Sequence, residues 1–312
     1  MTTSTIIILV TILVYLGGMV AIGAKFSKKN KDTSDFYLGG RKLGPFVTAM
    51  SAEASDMSSW LLMGLPGVAL IAGLAEASWT AIGLAVGTYI NWLIVAKRIR
   101  IYSSKIDAVT LPEFFSKRFG DNAGILKLIA AIVIIVFFIP YTASGFSACG
   151  KLFESIFGIP YMTAMIVSGI VIVLYTALGG FLAASTTDLI QSIVMTISLV
   201  AVLGFGINYA GGWEQVCQNA EGLAGYLNFT ITHGAGIVAE AIAGTAGTKP
   251  YGALTIASTL AWGLGYFGMP HILLRFMAIE KVEKIKLARR VASIWVVISM
   301  AVAIVIGIVG YG

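Results

Sequence analysis

Charge is what this sequence has least of. Only 12% of its 312 residues are charged while 58% are hydrophobic, against about 25% charged in an ordinary soluble domain. A soluble fold cannot hide that much apolar surface, so lipid must solvate much of the chain. Cysteine and histidine are scarce too. Cys149 and Cys217 form no framework, and their spacing suits neither a zinc site nor a redox motif. His233 and His271 are too few for most metal enzymes, and no nucleophile–base pair is visible, so the chain is not expected to be an enzyme. The first apolar stretch, residues 6–24, has no basic residue before it. It lacks the charged opening of a secretory signal and reads as a retained membrane helix.

What is present in abundance is long apolar runs. A helix rises about 1.5 Å per residue, so about 20 apolar residues cross the hydrocarbon core. Eight stretches qualify: residues 6–24, 46–73, 79–96, 125–149, 161–178, 189–210, 251–277 and 291–310. The net charge of +6 would suit a nucleic-acid partner, but its distribution says otherwise. Lys25, Lys28, Lys29, Lys31, Arg41 and Lys42 follow the first span. Lys97, Arg98, Arg100, Lys105, Lys117 and Arg118 lie between the third and fourth, with Lys127 at the edge. Lys281, Lys284, Lys286, Arg289 and Arg290 lie between the seventh and eighth, with Arg275 at the edge. Of the 21 Lys and Arg residues, only Lys151 and Lys249 fall on the opposite side. Cytoplasmic loops carry this excess, so the N-terminus is expected outside a cell membrane that the chain crosses repeatedly.

Two loops have features of their own. LPEFFSKRF, residues 111–119, mixes apolar and charged residues as a short helix on the inner membrane surface would. Residues 211–250 form a long, Gly-rich outer stretch in which Trp213 and Tyr226 are candidate interfacial anchors. Asn228-Phe229-Thr230 matches a glycosylation sequon, a pattern common by chance.

The second span, TAMSAEASDMSSWLLMGLPG, breaks the rule for a lipid-facing helix. Glu53 and Asp56 lie three residues apart within it, with Ser51, Ser55, Ser58 and Ser59 around them. A carboxylate near the bilayer centre costs about 2.5–3.5 kcal/mol on insertion scales. A locally unwound helix, offering backbone carbonyls, hydroxyls and a carboxylate to a hard cation such as sodium, would justify that cost. The alternative, a small-residue helix contact, accounts for the serines and poorly for the two acids.

Span seven reads AWGLGYFGMPHILLRFM, with Trp262, Tyr266 and Pro270 at successive spacings of four. On a helix these share one stripe, and Gly263, Gly265 and Gly268 between them allow close backbone approach. Two aromatics beside a proline kink suit a pocket for a small, partly apolar ligand, though an ordinary packed stripe explains the spacing as well. His271 suits a local hydrogen bond, and Arg275 a position near the inner interface with its head in water. Tyr141 follows Pro140 in span four and is either aimed inward by a kink or a hydrogen-bonded core residue. Asp188, in FLAASTTD at the start of span six, is either an acid on an ion route or part of a helix start capped by Ser185, Thr186 or Thr187.

Four strings carry a resemblance. YLGGRKLGPFVTAMSAEASDMSSWLLMGLPG (37–67), TLPEFFSKRFGD (110–121), GGFLAASTTD (179–188) and WGLGYFGMPHILLRFMA (262–278) occur in this order in the sodium/solute symporter family, and together resemble its proline-transporting branch. The resemblance implies an all-α membrane bundle of the inverted-repeat amino-acid-transporter (LeuT-like) fold. Residues 1–45 would be an extra N-terminal helix and inner loop, and 46–210 the first five-helix repeat. An outer loop would occupy 211–250, with the start of the second repeat at 251–312. It implies sodium ligation by the carbonyls of Ala54 and Met57, with Asp56 the essential acid. Ser58, Ser59, Trp60, Tyr141, Trp262, Tyr266 and Pro270 would lie at or around the substrate, Asp188 on the inner sodium route, and Arg41 near the inner gate.

The implied activity is sodium-coupled uptake of a small amino acid, L-proline first, by alternating access. Its partners would be sodium, the substrate and the bilayer, with no nucleic acid. A sodium symporter for pantothenate, a monocarboxylate or a sugar, or the membrane part of a transporter-like sensor, are the alternatives. Ser59 stands in place of glycine, Glu53 in place of a small residue and Met269 in place of glutamine, which bears on substrate identity. The family has about a dozen spans, so the 312 residues alone are not expected to transport.

Overall fold

The computed structural model describes residues 3–28, 31–233 and 248–311. Lys29 and the middle of the expected outer loop, 234–247, lie outside the described residues. Six described helices are long and apolar enough to cross a membrane: Thr3–Ser27, Pro45–Ala72, Leu74–Lys105, Ile125–Phe157, Tyr161–Tyr209 and Val282–Val309. The chain is a multi-pass membrane protein.

The difference from eight stretches has two local causes. Spans five and six run together as Tyr161–Tyr209, broken at Gly180 (φ 63°, ψ −160°), a conformation that needs the missing Cβ of glycine. At about 1.5 Å per residue this helix is far longer than a hydrocarbon core of about 30 Å, so two spans in the one element agree with its length. Span seven is not one helix. An α-helix Ala253–Leu260 tightens into a 3-10 segment Ala261–Phe267, turns at Gly268, and restarts as Pro270–Ala278. Trp262, Tyr266 and Pro270 therefore do not form the α-helical stripe that their spacing suggested.

Packing divides the chain into two compact units. The first comprises Met1–Ser51, Ala96–Ile190 and Pro270–Ile285. Helix Thr3–Ser27 lays Gly23 against the backbone of Tyr175, where a Cβ would meet the Tyr175 carbonyl at 2.8 Å. Helix Leu111–Phe119 forms as expected: Thr110 caps it by accepting from the Glu113 N–H at 3.3 Å, and Gly120 ends it with φ 65°. Helix Ile125–Phe157 accommodates Pro140 internally and exposes most of its apolar surface, as suits contact with lipid.

The second unit comprises Ala52–Val95, Gln191–Met269 and Lys286–Gly312. Its core is helix Leu74–Asn91, packed backbone-to-backbone on segment 253–267. A Cβ on Gly83 would lie 2.7 Å from the Leu260 carbonyl, and one on Gly263 would collide with the Gly83 carbonyl. Gly263 thus supplies the close approach expected of this segment, whereas Gly265 faces open space. Strands Ile231–Thr232 and Lys249–Pro250 pair antiparallel, Ile231 opposite Pro250. Trp213 is exposed, but Tyr226 is fully buried and donates to the Leu70 carbonyl at 3.2 Å, so it is a core residue and not an interfacial anchor.

Candidate functional site

In the second unit the acid-bearing helix breaks, at a place the acids alone did not specify. Helix Pro45–Ser59 keeps helical geometry through Glu53 and Asp56 and departs from it at Ser58 (φ 45°, ψ −154°). A non-glycine residue held there costs about 1–3 kcal/mol and is found where function or surrounding structure imposes it. The chain resumes as a π-helical turn, Trp60–Gly64, before helix Leu65–Ala72. The Ser58 hydroxyl accepts from the Trp60 N–H at 3.4 Å, and bare Gly64 makes room for the Trp60 indole. The kink at Ser58 falls beside the turn whose carbonyls, residues 54–57, face the N–H groups of 58–61 in a straight helix. Carbonyls beside a carboxylate are donors suited to a hard cation.

The side chains around this break come together in the same unit. The Trp60 and Trp262 rings meet edge-on, centroids 5.3 Å apart at 66°. Tyr266 is buried, its hydroxyl directed at Asp56 and Thr88, and its carbonyl accepts from Asn91 Nδ2 at 2.8 Å. Glu53 is buried and accepts from Trp92 Nε1 at 3.1 Å. Met57 is buried, Asp56 partly exposed, and Ser58 and Ser59 exposed. An apolar groove of about 330 Å³ elsewhere in this unit, lined by Ile82, Val86, Phe229, Val297 and Ile304 among others, contains none of these residues.

The first unit holds a separate polar cluster. Asp188 lies inside helix Tyr161–Tyr209, two turns beyond the Gly180 break, so it does not sit at a helix start. Thr186 and Thr187 bond back to the carbonyls of Leu182 and Ala184, which overturns the capping reading of that run. Asp188 Oδ2 accepts from Ser51 Oγ at 2.6 Å and pairs with Arg275 Nη2 at 2.8 Å. Arg275 is also corrected: its side chain is 8% exposed and does not reach for water. Its Nε donates to Ser51 Oγ and its Nη1 to the His271 carbonyl, each at 2.6 Å, with the Phe181 ring against the guanidinium. The pair neutralises two charges that the membrane interior would otherwise penalise.

Tyr141 stacks on His271 at 5.7 Å with Phe138 alongside, one residue beyond Pro270. It is 37% exposed. Arg41, with φ 55°, ends a run of three left-handed residues after Gly39 and Gly40. Its Nη1 donates to Ser103 Oγ (3.1 Å) and the Met277 carbonyl (2.9 Å), and its Nη2 to the carbonyls of Ser103 (3.2 Å) and Ala108 (2.7 Å). Arg100 adds bonds to the carbonyls of Ile279 and Glu280. Three loops that the charge count had placed on one side are thereby tied together. Burial, and then the charge of Arg100, hold the Arg41 guanidinium below its ordinary value.

Ser51, Trp92 and Arg100 escaped the sequence reading as partners. Ser51 was one serine among several, Trp92 lay in an apolar run, and Arg100 was counted only as loop charge. The overlooked signal for Arg275 was a guanidinium inside an otherwise apolar stretch.

These features, a kinked acid-bearing helix among long apolar helices, define a class before a family: a multi-pass membrane protein with ionisable groups inside its spans. Comparison with known proteins supplies the family. A profile of the sodium:solute symporter family matches residues 36–311. The chain is 43% identical over 311 residues to the sodium/proline symporter of Escherichia coli, covering 97% of this chain and 57% of that protein. It is 44% identical over 301 residues to the sodium/proline symporter of Haemophilus influenzae, covering 96% and 57%. Identity to the osmoregulated proline transporter OpuE of Bacillus subtilis is 40% over 304 residues, covering 97% and 58%. A solved structure of a Na+-coupled sialic acid symporter, substrate-bound and outward-open, superposes with a TM-score of 0.76 at 18% identity, over 96% of this chain and 60% of that one. The chain belongs to the sodium:solute symporter family and shares the fold of that symporter. It spans somewhat under three fifths of the length of the curated relatives it matches.

Proposed function

We propose that the complete gene product takes up L-proline together with sodium by alternating access. The observation that carries this reading is the break at Ser58, two residues after Asp56, in a chain about two-fifths identical to named sodium/proline symporters. Sodium would be held by the carbonyls of Ala54 and Met57 with Asp56 as the acid. Ser58, Ser59, Trp60, Trp262 and Tyr266 would contact or surround the substrate, as would Tyr141 and Pro270. Helix-end dipoles at a broken helix can hold the carboxylate of a zwitterion. Asp188 would serve the inner sodium route and Arg41 the inner gate. The loops tied by Arg41 carry most of the basic residues, which supports an N-terminus outside the cell membrane. Residues 46–210 would form the first repeat and 251–312 the start of the second.

The driving force suffices. A potential of 100 mV gives about 2.3 kcal/mol per charge, and each tenfold sodium gradient adds about 1.4 kcal/mol. Sodium and substrate shift the alternating equilibrium only by binding one state better than the other. The test is labelled-proline uptake by the complete gene product with and without sodium, in wild type and Asp56→Asn. Uptake in the wild type should need sodium and fall to background in Asp56→Asn. Equal uptake in all four conditions would overturn the proposal.

A further inference from the structure

The cluster of Ser51, Asp188 and Arg275 has a chemistry that a plain structural ion pair does not need. Asp188 Oδ2 takes both the Ser51 hydroxyl at 2.6 Å and Arg275 Nη2 at 2.8 Å. The Ser51 hydroxyl is committed in both directions, donating to Asp188 and accepting from Arg275 Nε at 2.6 Å. The guanidinium is anchored from behind by the His271 carbonyl and packed on Phe181. Each of the three residues sits within two turns of a backbone interruption: Ser51 before Ser58, Asp188 after Gly180, Arg275 after the turn that precedes Pro270.

A hard cation reaching Asp188 would seek the same two oxygens, the carboxylate Oδ2 and the serine Oγ. Both already accept from the guanidinium, and a cation on the same oxygens would lie within a few Å of that fixed positive charge, where like charges repel strongly away from bulk water. The ion and Arg275 therefore compete for the one carboxylate. We infer that Arg275 is a tethered competitor of sodium at Asp188: it closes the site with its own charge and must withdraw before sodium can pass. This rests on the reading that Asp188 serves the sodium route. Arg275 acts through Asp188 and is a positioning residue. Its guanidinium keeps the carboxylate neutralised when no ion is there, and it returns when the ion leaves, so that sodium does not linger.

The test uses the complete gene product in proteoliposomes and reads the half-saturating sodium concentration for proline efflux, with sodium varied on the releasing face. Arg275→Gln should lower that concentration about fivefold or more, the low end of typical coupling between competing occupants. Arg275→Lys keeps the charge but loses the second bond to Ser51, and should give a smaller shift in the same direction. Should Arg275→Gln fail to fold, Arg275→Lys carries the decision. A half-saturating concentration that is unchanged or raised, with only the maximal rate reduced, overturns the competitor role and leaves Arg275 a structural partner. Asp188→Asn separates the two levels. If it leaves sodium dependence untouched, the sodium-route reading itself falls and the competitor role with it. If it alters sodium dependence while the Arg275 variants do not, only the competitor role falls.

Discussion

Two carboxyl groups in the apolar part of this chain, buried Glu53 and the partly exposed Asp188, have different partners. Asp188, in the first unit, meets a guanidinium and a hydroxyl. Glu53, in the second unit, meets the neutral indole N–H of Trp92. Charge pairing and neutral hydrogen bonding both satisfy a buried oxygen, but they fail differently. Removing one member of a buried ion pair strands a charge, whereas removing a neutral donor costs about one hydrogen bond. The first arrangement makes a two-state switch possible, because the pair is strong only while both charges are present. The second holds an acid in place without supplying a compensating charge, next to the helix break at Ser58.

The sharpest way to break this comparison is Arg275→Ala. It should cost about 3–5 kcal/mol by stranding the Asp188 charge, read as loss of thermal stability of the detergent-solubilised protein. Neutralising both partners as Asp188→Asn with Arg275→Gln should recover most of it. If the single and double variants are equally unstable, the charge is not what matters. On the other side, Glu53→Ala should cost about 1–3 kcal/mol, since it leaves the Trp92 N–H buried and unmet. Glu53→Gln, whose amide oxygen still accepts from Trp92, should cost less than about 1 kcal/mol. Equal losses for Ala and Gln would mean that the bond to Trp92 contributes nothing. A change of similar size and opposite sign belongs to the break itself. Ser58→Gly should stabilise by about 1 kcal/mol, because glycine adopts φ 45° without the Cβ penalty. A stability loss on that change would show that the serine hydroxyl outweighs the strain it carries.

Much of the fold was legible because its signals are local. Apolar length marked the spans, and helix 111–119 showed in its mix of apolar and charged residues, its caps Thr110 and Gly120 emerging only in the structure. Basic residues sorted the loops, and Arg41 then proved to tie three of them together. The unusual second span was visible from Glu53 and Asp56 alone, yet the acids did not say where the helix would break. That depended on Ser58, an ordinary serine by sequence, and on Gly64, whose missing side chain accepts the Trp60 ring. Span seven misled because a spacing of four implies one stripe only on an unbroken α-helix, and the segment tightens and turns instead. Tyr226 misled in the other direction, since an aromatic in a polar loop looks like an anchor until its partner Leu70 is known.

From composition and order alone came a membrane-spanning helical chain, the grouping of its charged loops, and an acid-bearing span unlike its neighbours. Lipid imposes those features residue by residue, because each backbone group in it must find a partner within its own helix. Which acid meets a cation and which a neutral donor was settled only in three dimensions. Ser51, Asp188 and Arg275 are separated by 137 and 87 positions, and no local pattern encodes which distant side chain will share an oxygen with another. Pairing of that kind is decided by where packed helices bring their faces.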